Sequence, residues 1–108
     1  MSKLDDFWKA VRDGVVDIAK GDLKDFLKQA QDDGDQFLTS VKNDLETWTK
    51  QLADGGLSKD EFDFLVRGKA DLAKMHALTE AGITAIRIQK FRDAVINLVI
   101  DTAFKVFL

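Results

Sequence analysis

Written in rows of eleven, residues 4–58 read LDDFWKAVRDG, VVDIAKGDLKD, FLKQAQDDGDQ, FLTSVKNDLET and WTKQLADGGLS. The first column holds Leu4, Val15, Phe26, Phe37 and Trp48, and the fifth holds Trp8, Ala19, Ala30, Val41 and Leu52. Eleven residues make almost three helical turns, about 3.67 residues each, so both apolar columns stay on one side of a nearly straight helix. A strand exposes alternate faces every two residues and shows no such phase. The chain has no proline to forbid long helices. The phase therefore predicts an all-α protein that begins with one long, Gly-punctuated helix over residues 3–53. The competing reading is a break at Gly21, where Lys20, Gly21 and Asp22 in KGDLKD resemble a helix stop followed by a new cap.

Beyond Leu52 the punctuation is explicit. Asp54, Gly55 and Gly56 form a helix stop, and Ser58 with Glu61 forms a capping-box pattern, with Leu57 and Phe62 placed as a hydrophobic staple. Gly82 is placed as a carboxyl-terminal cap and Thr84 as an amino-terminal one. Two shorter helices follow, over about 59–81 and 84–107, and the whole chain, 1–108, reads as a single helical domain built as a three- to four-helix bundle. The core expected from these phases contains Phe26, Phe37, Val41, Leu45, Trp48, Leu65, Leu72, Leu78, Phe91, Val95, Leu98 and Val99.

The lengths predict an oligomer. At 1.5 Å per residue the first helix spans roughly 75 Å and the later two about 35 Å each, so the start of the first lies outside a three-helix bundle. That leaves Leu4, Phe7, Trp8, Val11, Val15 and Ile18 as an uncovered apolar stripe. The final helix is apolar over most of its circumference, and Phe104, Val106, Phe107 and Leu108 add an apolar tip. Either the segment folds back at Gly21 to complete a fourth helix, or these two surfaces pair two copies. The expected partner is a second copy, most simply in a two-fold dimer. Arg92 falls within the apolar arc of the last helix, where a buried guanidinium needs a carboxylate or carbonyl partner.

Little of the sequence points to chemistry. A net charge of −3 offers no general attraction for nucleic acid, and RIQKFR, residues 87–92, turns Arg92 away from Arg87 and Lys90 on a helix. With no cysteine, thiol catalysis and zinc-thiolate sites are excluded. The single histidine, His76, has Glu80 one turn away, which makes two ligands where a di-iron carboxylate site needs two Glu-x-x-His motifs and more. DDGD, residues 32–35, resembles a fragment of a calcium loop but lacks its spaced ligands, and reads as a solvated helix face or local kink. No cofactor, metal site or catalytic residue is assigned. No apolar run is long enough for a membrane span, and the acidic amino end does not fit a signal peptide, so a cytoplasmic location is expected.

The composition, 45% hydrophobic and 32% charged, suits a folded domain. An excess of apolar helix surface without catalytic equipment points to a non-enzymatic self-association or protein-interaction module. The alternative is a reversible binder of lipid or another hydrophobic surface. The eleven-residue amphipathic rows over residues 4–58 resemble those of apolipoproteins and synucleins, which implies lipid binding, although the Lys-rich consensus of those families is missing and Trp and Phe occupy the stripe. Far-ultraviolet circular dichroism in buffer alone is expected to show a mostly helical chain; a coil that becomes helical only on vesicles would favour the lipid alternative.

Overall fold

In a computed structural model describing residues 2–108, the chain forms six α-helices and no strand among the described residues. They are α1 (Lys3–Asp22), α2 (Leu27–Ser40), α3 (Lys42–Asp54), α4 (Lys59–Arg67), α5 (His76–Glu80) and α6 (Ala85–Phe107). The Ser2 hydroxyl caps α1 by accepting from the Asp5 N–H at 3.1 Å. Asp5 and Asp6 follow in the first turn, where carboxylates oppose the positive end of the helix dipole.

The long helix expected over 3–53 is broken twice. The first break falls two residues after Gly21, at Leu23, whose backbone leaves the helical region (φ −133°, ψ 39°) while its side chain is buried. A 3-10 turn, Lys24–Phe26, then reverses the chain into α2. The freed end of α1 is not left bare, because the Arg87 guanidinium donates to the Asp22 carbonyl at 2.8 Å. The second break is a bend at Val41 (φ −107°, ψ 6°), just after Ser40 hydrogen-bonds back to the Gln36 carbonyl, a contact that tends to bend helices. The reason for folding is dimensional. A straight helix of roughly 75 Å would leave half its stripe in water, whereas the folded chain measures only 43 × 27 × 19 Å.

The columns of the eleven-residue rows still point inward helix by helix: Val15, Ala19, Ala30, Phe37, Val41 and Leu52 are buried, and Leu4, Trp8, Phe26 and Trp48 are half-buried. They are carried by three separate helices rather than by one. Gly14 and Gly34 do not punctuate either. A Cβ on Gly14 would lie 2.6 Å from Leu98 Cδ1 of α6, and one on Gly34 would lie 2.8 Å from Val15 Cγ1 of α1. Each glycine lets a neighbouring helix approach α1 at a distance that a side chain would forbid.

Those contacts fix the directions of packing. Phe7 meets Phe107 with ring centroids 5.8 Å apart, Gly14 meets Leu98, and Arg87 reaches Asp22, so α1 and α6 run antiparallel. On the other side of α6, Phe62 packs on Phe104 and Arg67 donates to the Asn97 side chain at 2.8 Å, so α4 is antiparallel to α6 as well. Gly55, with φ 85°, ends α3, and Lys69 pairs with Asp44 at 3.0 Å as the chain returns. The apolar arc of α6 is thereby covered by α1, α3, α4 and α5 of its own chain. Phe91, Val95, Ile96, Val99, Ile100 and Ala103 are all buried.

The expected helix over 59–81 also divides. It leaves the α-helix after Arg67, passes a 3-10 turn at Ala70–Leu72 and restarts as α5. Of the expected core, Phe37, Val41, Leu45, Leu78, Phe91, Val95 and Val99 are buried, and Phe26, Trp48, Leu65 and Leu98 are half-buried. Leu72 is exposed, because the break removes it from the phase that a continuous helix would have imposed. By contrast, the last helix begins at the expected cap: the Thr84 hydroxyl accepts from the Arg87 N–H, and Gly82 turns the chain with φ 86°.

Gly34→Ala is expected to lose about 1–2 kcal/mol in urea unfolding, because the stiff, buried Val15 side chain must move aside. Gly21→Ala, which meets nothing within 4 Å, is expected to gain about 0.5 kcal/mol by restricting the unfolded chain.

Candidate functional site

The amino-terminal stripe is interior. Phe7, Val11 and Val15 are buried, while Leu4, Trp8 and Ile18 are half-buried against the same core. Folding back after Asp22 supplies the cover that the sequence reading assigned to a second copy. Phe104, Val106 and Phe107 are half-buried too, Phe104 beneath the Lys59 ammonium at 5.5 Å and Phe107 against Phe7. Of the expected pairing surface only Leu108 is exposed. Arg92 is half-buried rather than enclosed, so the guanidinium keeps access to water and needs no buried carboxylate.

His76 and Glu80 are both exposed on α5, and no group of three or more metal-ligating side chains occurs among the described residues. No helix among them is long and apolar enough to cross a membrane. DDGD is only partly the solvated face expected of it. Asp32 and Asp35 are exposed, but Asp33 is 3% exposed and its carboxylate accepts from the Ala77 N–H at 3.0 Å and the Leu78 N–H at 2.8 Å. It caps α5 from α2, across more than forty residues. The local cap position, Met75, cannot do so: it is a buried side chain held at φ 55°, a left-handed conformation unusual outside glycine. The spacing of Ala30, Asp33 and Phe37 on one helix face is the signal in the sequence that Asp33 points inward.

The outward apolar surface lies on α4. This helix starts with the full capping box: the Ser58 N–H donates to Glu61 Oε1 at 2.9 Å, and the Glu61 N–H donates to Ser58 Oγ at 3.1 Å. The Ser58 backbone N–H, aided by its hydroxyl, holds the Glu61 carboxyl below its ordinary range, so α4 begins with a charged Glu61 at neutral pH. Phe62 and Val66 are buried toward α6. Phe64 lies two residues from each, about 200° around the helix, and so points directly away from the core. It is 77% exposed. Leu57 and Leu65 are half-buried beside it, and Asp60 and Glu61 complete the shallow depression around its base. Phe64 is out of phase with Phe62 and Val66, so the apolar periodicity that marks the core face of α4 passes over it.

A second exposed apolar side chain, Ile86, is 72% exposed. Eleven residues separate it from Asn97, almost three turns, so it projects from the same side of α6 that α4 covers further along. Because α4 stops at Arg67, which bonds Asn97, the remaining stretch of about 16 Å toward Ile86 has no helix of α4 above it. Trp8 lines a different depression with Arg12, Asp35, Leu38, Thr39 and Lys42. Its indole N–H is buried without an acceptor among the described residues. No family model, characterised protein or solved structure matches this chain.

Asp33→Ala is expected to cost about 2–3 kcal/mol, since it leaves two helix-start amides without their charged acceptor. Asp33→Asn, which can accept at one oxygen only, is expected to cost less. Amide hydrogen exchange should place the loss at Ala77 and Leu78, and uniform protection in both variants would refute the long-range cap.

Proposed function

We propose that this chain is a non-enzymatic self-association or protein-interaction module that acts through the outer face of α4. The observation that carries this reading is Phe64, a large aromatic side chain turned into water from a helix whose inward face is already complete with Phe62 and Val66. Burying an exposed Phe is favourable by about 1.5–3 kcal/mol, and aromatic anchors are the residues on which small interfaces concentrate their binding energy. The half-buried Leu57 and Leu65 widen the patch, and the charged rim of Asp60 and Glu61 keeps it soluble and selective.

The expectation of pairing thus moves from the amino-terminal stripe to α4. The lipid alternative has less support from this geometry. It needs the eleven-residue stripe on the outside, while Phe7, Val11 and Val15 are enclosed by α2 and α6, so the protein would have to open before it could lie on a surface. A patch with two carboxylates at its edge also repels an anionic membrane.

Sedimentation velocity over a dilution series, with and without anionic phospholipid vesicles, tests the reading. The expected result is a mass above the 12.1 kDa of one chain at high concentration, reduced to one chain by Phe64→Ser and unchanged by vesicles. Because Phe64 touches little of the core, Phe64→Ser should leave the melting temperature of the dilute protein within a degree or two. A wild-type chain that stays monomeric while co-sedimenting with vesicles would replace this reading by the lipid one.

A further inference from the structure

Resting on that reading, we infer that the occupant of the α4 face is the α4 of a second copy, laid antiparallel across it on a two-fold axis that passes beside Phe64. The face is complementary to itself under that operation. A two-fold axis at residue 64 sets each position i opposite position 128 − i, so Glu61 faces Arg67 of the other copy and Asp60 faces Gly68. On the helical wheel Asp60, Glu61, Arg67 and Gly68 all fall within about 60° of Phe64, so all of them lie on the outward face.

The acidic first turn, Asp60 and Glu61, meets the basic last turn, Arg67, twice, once on each side of the axis. Arg67 is half exposed even though it bonds Asp63 and Asn97, so those bonds hold the guanidinium at the surface rather than bury it. Gly68, exposed and without a side chain, gives the other copy's Phe64 ring a flat stretch of backbone; a Cβ there would meet only the backbone of its own helix turn. The antiparallel arrangement also sets the positive end of each helix dipole beside the negative end of its mate.

The uncovered stretch of α6 around Ile86 is not a second half of this interface. Its neighbours Arg87 and Lys90 would suit the acids of α4, but Phe64 meeting Ile86 joins two different surfaces, and under one two-fold axis both copies must make that contact at once. With α4 as its own mate a single contact closes the assembly. The interface is small, one short helix from each side, so the expected dissociation constant is on the order of tens to hundreds of micromolar, as for transient pairs.

Charge reversal tests the geometry. By sedimentation equilibrium on the full chain, Glu61→Lys and Arg67→Glu should each weaken the dimer about tenfold, and the double variant, which restores opposite charges across the axis, should return to within about threefold of wild type. Ile86→Ser should leave dimerisation unchanged. Melting curves at micromolar concentration show whether each monomer is folded; for Glu61→Lys, which loses the bond from the Ser58 N–H, and Arg67→Glu, which loses the bond to Asn97, the milder Glu61→Gln and Arg67→Gln give second readings with a smaller weakening. Failure of the double variant to recover, or dissociation by Ile86→Ser, would overturn the two-fold α4 pairing while leaving self-association through Phe64 intact. A wild-type chain monomeric at millimolar concentration would remove both.

Discussion

Gly14 beneath Leu98 and Gly34 beneath Val15 leave no room for side chains where α1 meets its two neighbours. This close approach is the constraint on which the rest of the fold depends. It lets α1 lie between α2 and α6, so that one helix buries its stripe on both sides and α6 receives cover for an arc too wide for a single partner. The same approach requires the chain to reverse after Asp22, since α2 can reach Val15 only by running back along α1. The reversal at Leu23 and the bond from Arg87 to the Asp22 carbonyl are consequences of that requirement.

A second, polar constraint shapes the opposite side of the molecule. The segment after α4 leaves the helix, tucks Ala73 and Met75 inward and begins again as α5. Such a restart needs acceptors for its first amides, and buried amides without partners are costly. Asp33 supplies both from α2, which ties the position of α5 to the helix packed against α1. A short α4 follows from this arrangement, and with it the exposure of Ile86 beyond the end of α4.

The surface that remains is therefore a by-product of how the core was closed, apart from one feature. Leu72 and Ile86 are exposed where a helix ends or a segment breaks. Phe64 is different, because it sits in the middle of a regular, well-capped helix whose inner face is complete without it. A polar residue there would serve the monomer equally well, which is why the functional reading rests on this position.

Much was decided by the sequence alone, and for local reasons. Capping residues act within a single turn, so Ser58 with Glu61, Thr84, Gly55 and Gly82 mark helix ends that any fold of this chain would honour. Helical periodicity likewise determined which side of each helix faces inward, down to Phe37, Val41, Phe91 and Val95. Only the tertiary structure decided where the long apolar rows would be cut, because phase is preserved on either side of a break and carries no record of it. Gly14 and Gly34 look like interruptions until the helices that touch them are in place. Asp33 looks solvated until α5 arrives from forty residues away. Phe64 is an ordinary aromatic residue in the sequence, because its exposure depends on which residues of α4 are already taken up by α6, and that is a property of packing between helices that no local pattern contains.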